Sequence, residues 1–175
     1  MEINNNYVKI PNDMYDDLSL TNEEVTIILL SYRNYMLYKN YSLCSLKLIA
    51  EDYMKYELHN NRDILPKIKE TIASLIEKEY ILDIYNINYE PITTEDIKDK
   101  YFNFYIEMKE PPMENYFQVF DSAIISIFNG LKGEKLNKFN LIRYYLACCR
   151  VRNQESNVGF LAQSKMKYQF NKSKI

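Results

Sequence analysis

From Ile64 onward the apolar residues Ile64, Ile68, Ile72, Leu75 and Ile76 recur at three- and four-residue steps. That spacing predicts a helix from Ile64 to Tyr80 with these residues on one face and Lys67, Glu70, Ser74 and Glu77 on the other. Asn61 or Asp63 is placed to cap its start, and Pro66 falls in the first turn, where a missing N–H costs little. The chain then changes period without a Gly or Pro break, and Ile81 to Tyr85 reads as a strand. Upstream, Tyr7 to Ile10 reads as a short strand ended by Pro11, and Asp13 to Leu18 as a short turn or helix. Thr21-Asn-Glu-Glu24 matches a capping box. The helix it opens carries Val25, Ile28, Leu29, Tyr32 and Met36 on one face and is predicted to run to about Tyr38. Ser42 to Cys44 follows as a minimal strand, and Ser45 caps a second helix with Leu46, Ile49, Ala50 and Tyr53 inward.

Two helices, then a third that turns straight into a strand, give the element order of a winged helix-turn-helix. Tyr101 to Met108 alternates apolar and polar residues and is rich in aromatics, as a returning strand should be. With Ile81 to Tyr85 it makes a two-stranded wing with a long polar tip from Ile92 to Lys100. The predicted class is mostly α with small β wings, an α+β fold. Glu110-Pro-Pro-Met113 is the linker, since two prolines continue neither helix nor strand.

Beyond the linker the pattern restarts. Asn115 to Val119 echoes Asn6 to Ile10, Leu136 to Arg152 repeats the apolar spacing of the first helix, and Leu161 to Tyr168 lines up with Ile49 to Tyr56. This predicts a duplication: a winged-helix domain over residues 1–109, a linker at 110–114, and a second, incomplete unit over 115–175. The second unit stops where its own recognition helix would begin.

Charge adds a direction. The net charge is only −2, but residues 131–175 hold ten Lys and Arg against Glu134 and Glu155. A basic end follows an acidic body, and such a basic end can focus a field toward phosphate. Composition narrows the function classes further. One His and three scattered Cys cannot supply a zinc site of the usual spacing. Three Gly exclude a phosphate-cradling loop, and carboxylate pairs such as Asp16-Asp17 and Glu23-Glu24 are explained by helix capping. No enzyme and no cofactor is therefore expected. The Cys usage points to a reducing, cytoplasmic setting, and no apolar run is long enough for a membrane span.

The stretch from Tyr7-Val-Lys-Ile-Pro11 through the capped helix, Ser42-Leu-Cys-Ser-Leu46 and the helix into Ile81 resembles the winged-helix N-terminal regions of plasmid and phage replication initiators. DnaD-like primosome proteins share the outline more distantly. Gly159 to Tyr168 followed by Asn171-Lys-Ser173 looks like the second helix and turn of another such unit. The resemblance implies sequence-specific double-stranded DNA binding in replication initiation, with partners among replication proteins or a second copy. Transcriptional or partition control, or a protein-interaction adaptor with a Tyr-rich surface, are the alternatives.

In a winged helix the third helix enters the major groove and the wing touches phosphate or the minor groove. The candidates in the first unit are Arg62, Lys67, Lys69 and Ser74 on the helix, with Asn86 and Asn88 on the wing. Asn reads adenine edges, and Lys contacts guanine or phosphate. In the second unit they are Gln163, Ser164, Lys165, Lys167, Tyr168, Lys172 and Lys174.

Overall fold

Thr21 starts the central helix as its sequence requires. Its hydroxyl accepts from the Glu24 amide at 3.2 Å, and the Glu24 carboxylate accepts from the Thr21 amide at 2.6 Å, so the capping box is complete. In the computed structural model, which describes residues 7–36, 40–59, 63–111, 113–130 and 137–150, this helix is α2, Asn22–Arg33. Before it lie β1 (Tyr7–Pro11) and α1 (Asn12–Asp16). Glu24 through Ser31 are all buried on α2, the pattern of a helix covered on every side.

The helix is shorter than the predicted end near Tyr38. Asn34 closes it by donating from its side chain to the Leu30 carbonyl at 2.6 Å. Tyr35–Met36 then forms β2, paired antiparallel with β3 (Tyr41–Cys44). The Tyr35 hydroxyl donates to Asn40, which holds the left-handed conformation (φ 57°). Apolar spacing alone does not register that Tyr35 and Met36 find ladder partners in Ser42 and Tyr41.

The Ser45 hydroxyl accepts from the Leu48 amide at 3.1 Å and caps the next helical segment as expected. That segment widens into a π-helix, Leu48–Tyr53, with Ile49 and Ala50 buried. α3 spans Ile64–Glu77 and buries Ile64, Ile68, Thr71, Ile72 and Leu75. Asp63 occupies its N-cap position with helical backbone angles, and its side chain makes no capping bond. The end falls three residues before the predicted Tyr80. The Glu79 amide donates to Ile76 and the Tyr80 amide to Leu75, both at 3.0 Å, with Glu79 left-handed at φ 60°. This is a Schellman closure made without glycine. It redirects the chain at once into β4, Ile81–Asn86.

A tight turn, a short 3₁₀ turn at Thr94–Asp96 and the buried Ile97 lead to β5, Phe104–Met108. The sheet is antiparallel in the order β2-β3-β5-β4. Its inner face presents Ser42, Cys44, Ile81, Ile84, Phe104, Ile106 and Met108, all buried. The chain is thus of mixed α+β class.

Residues 113–130 and 137–150 add to that buried cluster. β6 (Tyr116–Phe120) pairs antiparallel with β1, from Tyr7↔Phe120 to Pro11↔Tyr116. α4 (Asp121–Gly130) and α5 (Lys138–Arg150) follow. Val119, Ile124, Phe128, Phe139, Ile142 and Leu146 belong to the same buried cluster as Ile10, Met14, Tyr15 and the apolar residues of α2. Tyr15 meets Phe117 edge-on at 5.7 Å, and Asn22 on α2 donates to Asn140 on α5 at 2.7 Å. Arg33 at the end of α2 is paired with Asp121 at the start of α4. Among the described residues, then, the stretches on either side of 110–114 contribute to one buried cluster. Tyr7–Ile10 and Tyr116–Val119, which carry most of the echo, are paired strands of one ribbon.

Lys138 ties α5 to the π-helix. It is 5% exposed, and its ammonium donates to the carbonyls of Met54 at 2.9 Å and Lys55 at 3.1 Å, over the Tyr56 ring at 4.7 Å. Burial lowers its pKa from the ordinary lysine value. Lys138→Met keeps the stem but leaves two carbonyls without their donor, and an expected loss of about 1–3 kcal/mol is readable by thermal denaturation. An unchanged melting temperature would mean that the tether contributes nothing.

Candidate nucleic-acid interface

α3 and the β4–β5 hairpin carry the first set of candidates, and the fold commits most of them internally. The Ser74 hydroxyl donates to Glu24 at 2.7 Å, inside the α2–α3 contact. Lys67 is ion-paired with Glu23 of α2 and lies 5.2 Å from the centre of the Phe139 ring on α5. Lys69 pairs with Glu95 of the 3₁₀ turn at 3.7 Å. Lys78 grips both oxygens of Glu24, at 2.7 and 2.9 Å. Every lysine of this helix region is therefore neutralised by a carboxylate from a neighbouring element. Glu70 and Glu77 stay exposed along α3 with no ion-pair partner among the described residues.

Glu24 anchors this arrangement. Its burial would raise the carboxyl pKa, but hydrogen bonds from Lys78, the Thr21 amide and Ser74, with the Lys78 charge, outweigh that and hold it below the ordinary value.

On the hairpin, Asn86 organises the turn. Its side-chain oxygen accepts from the amides of Asn88 (2.8 Å) and Glu90 (3.1 Å), and its amide group donates to the Glu90 carboxylate at 2.7 Å. Tyr89 completes the turn at φ 62°. Asn88 is exposed at the tip. Of the predicted residues on the helix and wing, Asn88 is thus the one whose side chain is presented outward without a hydrogen bond or ion pair among the described residues. Arg62, Gln163, Ser164, Lys165, Lys167, Tyr168, Lys172 and Lys174 lie outside the described residues.

A second group of cations gathers at the base of the long tip. The ammonium groups of Lys47 and Lys100 lie 5.2 and 5.1 Å from the centre of the Tyr101 ring, which is 61% exposed. The Lys47 amide bonds the Lys100 carbonyl at 2.9 Å, which fixes the two segments together, and Lys98 is exposed nearby in sequence. Carboxylates are interspersed: Glu51 lies 3.6 Å from Lys47, and Asp99 accepts from the Tyr101 amide. Reading residues 92–100 as a polar excursion misses this group. The signal in the sequence is Lys98-Asp-Lys-Tyr101, lysines interleaved with an aromatic.

Other chemistry is sparse. Among the described residues no set of three His, Cys, Asp or Glu side chains is placed to hold a metal ion. His59 is exposed beside Glu57. Cys44 is buried, and burial pushes its thiol up to about 12, so it does not form a thiolate at neutral pH. A cleft of about 540 Å³ between β1, the end of α2 and the residues Glu110, Pro111 and Met113 is lined also by Lys9, Arg33 and Tyr35. Its cations are already used, Arg33 by Asp121 and Lys9 against the Tyr116 ring at 4.6 Å. No helix among the described residues is long and apolar enough to cross a membrane.

Comparison of the chain with protein-family models, with curated proteins and with solved structures yields no match.

Proposed function

We propose that the chain carries a winged helix-turn-helix and binds double-stranded DNA sequence-specifically, in replication initiation of a plasmid, phage or other mobile element. One observation carries the reading: α3 closes directly into the first strand of a β4–β5 hairpin whose partner is the short β3, in the order β3-β5-β4. With α2 and the π-helix ahead of α3, this element order supports the reading. The replication role rests on the resemblance of residues 7–85 to initiator N-terminal regions.

The charge distribution refines how DNA would be held. Glu70 and Glu77 on α3 repel phosphate, and Lys67 and Lys69 are spent on Glu23 and Glu95. Backbone contact therefore falls to Lys98 and Lys100 at the base of the tip and to the basic end around Lys165 and Lys167, leaving α3 for base edges.

Binding of the full chain to labelled duplex DNA across a salt series tests this. Affinity is expected to fall steeply with salt. Lys98→Ala with Lys100→Ala, or Lys165→Ala with Lys167→Ala, should flatten the slope by about 0.9 for each phosphate no longer neutralised. Lys67→Ala should leave it nearly unchanged. Absence of binding to any duplex at low salt would sink the proposal.

A further inference from the structure

Both sheets end at the 540 Å³ cleft. β1 is an edge of the two-stranded ribbon, and β2 is an edge of the four-stranded sheet. Tyr7, Val8 and Lys9 line the cleft from β1, Tyr35 and Asn40 line it from the β2–β3 hairpin, and Glu110 lies on its wall. Side chains alternate between the two faces of a strand, so a lining of three consecutive residues marks the strand's edge.

The ladder fixes which backbone groups of β1 lie on that edge. The Asn12 amide donates to the Asn115 carbonyl at 3.0 Å, one step past Pro11↔Tyr116 and in the same register. Bonded and non-bonded pairs alternate along an antiparallel ladder, so Ile10 and Val8 are the residues bonded to Phe117 and Val119. Tyr7, Lys9 and Pro11 turn their backbone groups the other way. Pro11 obeys the same phase, because it has no N–H to give the ladder. The Lys9 amide and carbonyl therefore point away from β6, and neither finds a backbone partner among the described residues.

Charge narrows what can pair there. The cations of the cleft are engaged, Arg33 with Asp121 and Lys9 on the Tyr116 ring, while Glu110 has no ion-pair partner among the described residues. A second copy joined edge to edge about a two-fold axis at Lys9 would set that lysine against its own like charge. It would also place Pro11, without a donor, opposite Tyr7.

We propose that the outer edge of β1 takes up an extended segment of a partner protein as an added antiparallel strand, one in which apolar residues alternate with Lys or Arg. The segment's residue opposite Lys9 exchanges both main-chain bonds with it. Its neighbours share the face of the buried Val8 and enter the cleft beside Tyr32, which calls for apolar side chains. A basic residue of the segment meets Glu110. The assignment does not depend on DNA binding.

The test is calorimetric titration of the full chain with a capped peptide of alternating Val and Lys. Beside it run the same peptide with alternate amides N-methylated, in both phases, and a Val–Glu peptide. The Val–Lys peptide is expected to bind, to be weakened at least about tenfold by methylation in the phase that faces β1, and to outbind the Val–Glu peptide. Lys9→Pro removes the outward amide without touching the ladder and should abolish binding, whereas Lys9→Thr, which keeps the amide, should retain it. Glu110→Gln should weaken it about threefold. Hydrogen exchange gives a second readout: the Lys9 amide should exchange faster than those of Val8 and Ile10 in the free chain, and slow when the peptide is added. The methylated peptides decide the matter even where Lys9→Pro fails to fold. Equal binding of both methylated peptides and the parent, unchanged exchange at Lys9, or no binding of the Val–Lys peptide would each overturn the assignment.

Discussion

Glu24→Ala is expected to lower stability by about 3 kcal/mol, the range for removing one partner of a buried ion pair, and the melting temperature by about 6–12 °C. The substitution removes the shared acceptor of the Lys78 ammonium, the Ser74 hydroxyl and the Thr21 amide, and leaves Lys78 only the Ser19 carbonyl at 3.1 Å. The pH dependence follows from the direction of its shift. The folded-state pKa is below the ordinary glutamate value of 4.5, so the contribution is complete above that value. It is lost as pH falls through the lower folded value. The stability gap between the natural chain and Glu24→Gln should accordingly narrow under acid. A gap that stays constant from neutral pH to well below the carboxylate range would refute the role given to the charge.

Ile142→Ala is expected to cost about 3 kcal/mol, since Ile142 is fully buried against the α2 side of the core. The form of the unfolding curve matters as much as its midpoint. If β1–β6, α2 and α5 share one core, the variant unfolds in a single transition shifted to lower denaturant, with the tyrosine and backbone signals coincident. Two separated transitions, with only one moved, would restore the independent second unit that the repeated pattern suggests.

Much of the architecture is legible because local signals agree with each other. The Thr21–Glu24 box, the Ser45 cap, the one-sided face of α3 and the alternation of Phe104 to Met108 all name their elements without tertiary help. The failures share a cause: each depends on a partner far along the chain. Met36 fits the apolar spacing of α2, yet the residue leaves the helix because Tyr41 stands across from it. Tyr116 to Val119 repeats the alternation of Tyr7 to Ile10, and only the ladder shows that the two segments pair. At the candidate interface, residue type does not reveal that Lys67 and Lys69 meet Glu23 and Glu95 across element boundaries. Nor does one helix with one tip reveal Lys47 beside Tyr101, since the two come from segments brought together by the β3–β5 ladder.

The β1–β6 ribbon also sets a timetable. On the ribosome the first strand emerges early, but Phe117 and Val119, its neighbours across the ladder, are made only after the whole four-stranded sheet. Tyr15 must wait longer still, until Arg143 of α5 can bring its guanidinium to 5.1 Å from the centre of its ring. Helices and the β4–β5 hairpin depend on near neighbours and form fast, whereas the closing step joins β1 to β6, far along the chain from it. A nascent chain halted before α5 therefore holds an open apolar flank, the state in which it is most exposed to chaperones and to aggregation.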